Sequence, residues 1–260
     1  MYASVNSYLN SLSKARSFFF IRGGVMNKIF SILISSVLLF IAGCNSIGNG
    51  MPKVFKINVE SPEVIDIEGD WHVEIVCNAN ENTCEVVIDE NLSNSFSVSG
   101  RKKFNAYLPR KIQPMVAPVL RLKMQKSFRE LKSEGNNICT VRNFNSEQLA
   151  VEVSDGGVYI FRDCNIGKLE LEVNDIGKVS FKGLVKNIEA EITDRAAADI
   201  EKVEKLQLEC SKNSICRVNK CGIAKVRAKD MASVIFREIQ NVDSETVGNA
   251  VINIPVKSEK

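Results

Sequence analysis

The sequence holds one histidine, His72, and one tryptophan, Trp71, in 260 residues. A single imidazole excludes multi-histidine metal sites and gives little scope for histidine-based triads, leaving carboxylates as the main acid–base groups. Glycine-rich phosphate loops, the dinucleotide fingerprint, the Gly-x-Ser-x-Gly elbow and Cys-x-x-Cys pairs are also missing. Nucleotide-dependent enzymes and serine hydrolases of the common kinds thus lack their motifs here. No cysteine spacing suits a metal, so neither metal nor cofactor is expected. Proline is scarce, and three of the six, Pro109, Pro114 and Pro118, fall in one short stretch. Trp71 and His72 read as core and strand-edge residues.

What is present begins with an export signal. Met26-Asn27-Lys28 places one positive charge before an apolar run that ends at Ile41-Ala42-Gly43-Cys44. That run is shorter than the roughly 20 residues needed to span a bilayer, so it suits a cleaved signal peptide over residues 26–43. Its end resembles a bacterial lipobox, which implies a covalent lipid on Cys44 and a membrane anchor. Asn45 is not the aspartate associated with inner-membrane retention, so outer-membrane localisation is expected, on an undetermined face. Residues 1–25 precede Met26 with Arg22-Gly23-Gly24, the translation of a purine-rich ribosome-binding site. They are expected to be a mis-annotated upstream extension, with a long n-region as the alternative. Residues 44–53 form the lipidated cysteine and tether.

Residues 1–43 carry Lys14, Arg16, Arg22 and Lys28 and no acid, so the remainder has a net charge of −1. Residues 44–260 suffice for one sizeable domain. Charge is uneven, because residues 101–132 hold ten Lys or Arg against Glu130 alone. Arg101, Lys102, Lys103, Arg110, Lys111, Arg121 and Lys123 are the candidate site for an anionic surface polymer or lipid headgroup. The competing reading of residues 109–130 is a solvated basic connector. Nucleic acid is not an expected partner of an envelope protein; an envelope protein is.

Seven cysteines remain beside Cys44, in a compartment that permits disulfides. Cys77 and Cys84 flank a polar stretch between two β-rich runs, which suggests a hairpin disulfide. Cys210–Cys216 is a second candidate against a plain core-filling role.

From residue 131 onward the chain repeats. Alternating runs start at Leu149, Leu169, Ile188, Leu206, Ala224 and Val242, spaced by 20, 19, 18, 18 and 18 residues. A period of two is strand chemistry, with apolar side chains on one face and charges on the other. A second apolar column follows at Val158, Val179, Ala198, Cys216, Val234 and Val251, and a third at Cys164, Leu184, Val203, Cys221 and Ile239. Three short strands per repeat predict a parallel β-solenoid over residues 131–256. Asp155-Gly156-Gly157 and Asp175-Ile176-Gly177 mark the turns. Asp194-Arg195-Ala196-Ala197 lacks the glycine and is expected to loosen the register. Glu152, Glu170, Glu172, Glu189, Glu191 and Glu209 would stack outward as an acidic ladder.

Residues 54–108 read as an antiparallel β-rich part. Their F-x-I-x-V opening at Phe55, the V-x-I run at Val73 and the element Ile88-Asp89-Glu90-Asn91-Leu92 lead into the repeats. Together these resemble the DUF2807 family, named for an auto-transporter adhesin head (GIN) domain. Phe128-Arg129-Glu130-Leu131 and the run from Asn145 to Ser154 carry the likeness onward. The resemblance implies an all-β solenoid that serves adhesion or ligand binding without catalysis. The alternatives are a structural or assembly factor of the envelope and, less favoured, a carbohydrate-active enzyme.

Overall fold

The computed structural model describes residues 46–255; Cys44 and both leader segments lie outside the described residues. Helical structure within them is confined to one 3-10 turn, Glu90–Leu92. The other regular elements are all strands, as the alternation predicts.

The first strands are short: β1 Pro52–Ile57, β2 Val64–Glu68, β3 His72–Val76 and β4 Thr83–Asp89. β5 Ser97–Gly100, β6 Lys103–Tyr107, β7 Val119–Lys123, β8 Glu130–Glu134 and β9 Ile138–Arg142 follow. The later strands are longer and bend at corners: β10 Asn145–Val153, β11 Val158–Val173, β12 Lys178–Ile192, β13 Ala197–Cys210, β14 Ile215–Asp230 and β15 Ser233–Gly248. β16 Val251–Asn253 closes the series.

From β8 onward each coil lies parallel and in register on the one before, making a β-solenoid with three faces. The first face stacks Leu131, Val151, Leu171, Ala190, Leu208 and Val226 inward. No single coil could bury such a column, so each coil obtains its core from its neighbours. An aromatic stack runs inside: Phe128, Phe144, Phe161 and Phe181 have successive ring-centroid distances of 4.8, 5.9 and 4.6 Å. On β15 this inward column ends in Ser244, and the next one, through Cys210 and Ala228, in Thr246; both are exposed, so this coil carries the polar end typical of a terminal repeat.

Two columns differ from the sequence reading. On the second face Val179 is in register with Tyr159 and Val234 with Ile252, so Val158 and Val251 lie one residue off the inward column. On the third face the column is Ile166, Val185, Val203, Cys221 and Ile239, so Cys164 and Leu184 are not its members. The cause is local. The repeat contracts from 20 to 19 to 18 residues by register shifts at one corner, Arg162/Cys164 and then Phe181/Leu184. Asp163 (φ 54°) and Gly183 (φ 139°) turn that corner in the longer coils.

The other corner follows the first face. It is turned by a column of left-handed residues: Gly69, Gly135, Asp155, Asp175, Asp194, Lys212, Asp230 and Gly248. Aspartate is among the few side chains that visit this region readily. The glycines beside these aspartates are not the turning residues, so their replacement after Asp194 leaves the turn intact. Asp194 has φ 64°, and Lys178 still faces Ala197. The register is kept there.

The N-terminal part is interleaved with the solenoid. β2 lies between β6 and β8, and β3 between β7 and β9, all parallel. The rung formed by β6 and β7 therefore sits outside β2 and β3, although it follows them in the chain. Antiparallel pairing is confined to the margins: β5 on β6, β4 on β7 and β1 on β4. Residues 109–130, expected as a connector, contain β7, whose Leu120 and Leu122 are buried while Arg121 and Lys123 face outward. Buried Asn137 ties adjacent rungs together. It accepts the Trp71 N–H (3.0 Å) and donates to Ser133 Oγ and the Glu134 carbonyl (3.0 Å each).

Candidate acidic groove and basic end

The outward positions of the first face form two charged columns. One runs Ala150, Glu170, Glu189, Gln207, Lys225, Asp243, and the other Glu152, Glu172, Glu191, Glu209, Arg227, Glu245. Parallel strands lie about 4.8 Å apart, so the side chains of each column are near neighbours. Between the columns runs an open groove of about 740 Å³, lined by nine carboxylates against Lys132, Lys225 and Arg227. All six glutamates read from the sequence as an outward ladder line it.

Directly opposed like charges destabilise a sheet, and most of the ladder is compensated. Lys132 reaches Glu130 (3.3 Å) and Glu152 (3.4 Å), and Lys168 reaches Glu170 (2.8 Å) and Glu189 (3.2 Å). Lys229 pairs with Glu209, and its hydrogen bond holds that carboxyl below the usual range. Glu172 and Glu191, at the centre, have no cation among the described residues. Glu172 accepts only the side-chain amide of Asn174 (2.8 Å). This uncompensated pair is the most electronegative feature of the groove, and it sits on stacked strands with well-buried inward neighbours.

The basic residues singled out in the sequence do not converge. Lys103 on β6 pairs with Asp66 (2.8 Å), and Arg121 on β7 with Glu74 (3.5 Å). Arg110 bridges Glu134 (3.1 Å) and Asp155 (2.7 Å) across successive turns. Arg101 and Lys102 occupy the β5–β6 turn, Lys111 the loop before β7, and Lys123 the end of β7; all four are exposed. They share the N-terminal end of the molecule and lie on different elements of it.

The seven described cysteines are free and buried. Cys77 and Cys84 do not flank a hairpin, because β7 lies between β3 and β4. Two strand spacings, about 10 Å, exceed the reach of a disulfide. Burial pushes both thiols up to about 12. Cys210 and Cys216 do meet at one corner, as thiols: the hydrogen bond to Cys210, and then burial, raise Cys216. His72 is exposed on β3 and Trp71 is buried, with its indole N–H donating to the Glu68 carbonyl (3.2 Å).

Sequence reasoning missed Asp89. Its buried carboxylate accepts the N–H groups of Gly50 (2.6 Å), Met115 (2.9 Å) and Val116 (3.1 Å). The Ile88-Asp89-Glu90-Asn91-Leu92 element was the available signal, an acid and an amide at the end of a buried strand.

No family model matches the chain. No curated protein matches it either. Solved structures do resemble it. A candidate adhesin from Bacteroides fragilis superposes with a TM-score of 0.65 at 13% identity, covering 80% of this chain and 99% of that one. A candidate lipid binding protein from Parabacteroides distasonis gives 0.60 at 14% identity, with 80% and 98% covered. A candidate adhesin from Parabacteroides merdae gives 0.57 at 14% identity, with 80% and 97% covered. At such identities the likeness shows the fold, and the chain shares the β-solenoid architecture of these bacterial proteins.

Proposed function

We propose that the protein is a non-catalytic adhesion or ligand-binding module, held on the outer membrane by a lipid on Cys44 and built like a DUF2807 domain. The acidic groove of the first face carries this reading. Its strands are locked in register by stacked neighbours, so its carboxylates are preorganised for a partner. The groove is open and polar, which suits an extended cationic segment of another molecule more than an enclosed small substrate. Glu209, held ionised by Lys229, is placed for charge recognition and is a poor proton donor. The solved relatives named for adhesion and lipid binding support a surface role by analogy of fold.

The test has two parts. Intact mass of the mature protein should show a covalent lipid on Cys44 that Cys44→Ser lacks. Immobilised polylysine should retain the wild-type domain at low salt and the Glu172→Gln/Glu191→Gln variant several-fold less, with no loss of thermal stability. Retention unchanged in the variant would remove the groove from the account, and an unmodified Cys44 in the wild-type protein would remove the anchor.

A further inference from the structure

The residues that follow Cys44 are folded into the domain. The Gln113 N–H donates to the Ser46 carbonyl (3.0 Å), and the Gly48 N–H donates to that of Gln113 (2.9 Å). The Asn91 side chain accepts the Asn49 N–H (3.0 Å) and donates to the Ile47 carbonyl (2.8 Å). With the three N–H groups on Asp89, these bonds clamp residues 46–51 and the loop 113–116 around the end of β4. This end lies beyond the outermost rung, β6 and β7. Asn45 alone separates Ser46 from Cys44, and two residue steps span at most about 7 Å.

What the clamp presents is apolar. Met115 (69% exposed) and Met51 (62%) are the two most exposed large apolar side chains among the described residues, and Ile47 is 59% exposed. They belong together: the Ile47 bridge to Gln113 and the Asp89 carboxylate shared by the Gly50 and Met115 N–H groups place both loops side by side. Exposed Lys111, two residues before Gln113, and Lys53, two after Met51 and paired with Glu90 (2.8 Å), are the nearest lysines along the two segments. An apolar tip rimmed by lysines and held by a buried carboxylate has the composition of a surface that enters the boundary of an anionic bilayer.

We propose that this end of the solenoid is a membrane seat. Ile47, Met51 and Met115 enter the interfacial lipid, Lys53 and Lys111 lie among the headgroups, and Asp89 fixes the seat rigidly to the core. The proposal rests on the lipidation of Cys44, because a lipid there leaves no linker long enough to hold the tip away from the membrane. The first-face groove would then be displayed at a set height and orientation instead of swinging on a flexible tether.

The experiment uses the mature lipoprotein with its own anchor, reconstituted in phosphatidylethanolamine vesicles containing a minority of phosphatidylglycerol. The native thiols of the described domain are buried, so a nitroxide can be placed selectively at Met115→Cys, at Met51→Cys, or at Val247→Cys near the opposite end. Spin relaxation by oxygen against a water-soluble nickel chelate should report lipid immersion at Met115→Cys and Met51→Cys and water at Val247→Cys. Intact mass of the same samples should show the lipid on Cys44. Lipid on Cys44 with all three labels in water would overturn the seat and leave the anchor standing. An unmodified Cys44 would overturn the anchor and the seat with it. Label–label broadening at Met115→Cys, with no lipid immersion, would make the tip a contact between copies and also overturn the proposal.

Discussion

At the scale of single residues, the solenoid depends on which side chains accept the left-handed turn. The sequence draws attention to Gly156, Gly157 and Gly177, yet the turning residues are Asp155, Asp175 and Asp194, each with positive φ. Glycine is the expected sign of such a turn, and aspartate serves because its short polar side chain bonds locally. Asp175 accepts the N–H of Asp155 (3.3 Å) and Asp230 that of Lys212 (3.1 Å) at the adjacent turn, and Asp194 pairs with the Lys212 side chain. Asp194→Gly and Asp194→Val both lose the exposed Lys212 pair, which contributes little. Only valine adds the steric cost of the left-handed region, about 1–2 kcal/mol. Urea unfolding should therefore show Asp194→Val less stable than Asp194→Gly by about that amount, and equal stabilities would contradict the turn assignment. The acidic ladder was legible because alternation fixes which residues point outward. The clamp at Asp89 was not, because the Ile88–Leu92 element marks the acid but not its hydrogen-bond partners 26 to 39 residues away.

At the scale of elements, period-two runs were readable wherever charge did not mask them. The first-face strands stand where the alternation puts them. The third-face column shifts by a residue or two because the corner at Asp163 and Gly183 absorbs the change in repeat length, which spacing alone does not locate, and the second-face column by one because Val158 and Val251 are apolar neighbours of its true members. β7 was hidden in a basic run, although Leu120 and Leu122 alternate with Arg121 and Lys123 as an ordinary half-buried strand. The interleaving of β6 and β7 outside β2 and β3 is illegible for a deeper reason: alternation tells which side of a strand is buried and not which strand lies beside it. The aromatic stack binds these elements across coils. Phe161 is fully buried between Phe144 and Phe181. Phe161→Ala should cost about 3–5 kcal/mol in chemical denaturation, the range for a buried phenylalanine whose cavity cannot collapse. A cost below about 1 kcal/mol would mean that neighbouring coils do not depend on this stack.

At the scale of the whole molecule, the described chain is one continuous stack with a basic, clamped end, a polar terminal coil and a long acidic groove between them. That arrangement suits presentation: a rigid body, anchored at one end as proposed, would display an extended charged surface. Adhesion makes a demand that the fold alone does not, namely that the groove meet partners outside the cell. The most direct measurement is protease accessibility of the protein on intact cells, compared with cells whose outer membrane has been opened. The account predicts digestion on intact cells, with the solenoid outside and the groove available to external partners. Protection until the membrane is opened would contradict adhesion, place the domain in the periplasm and make the groove a surface for envelope components.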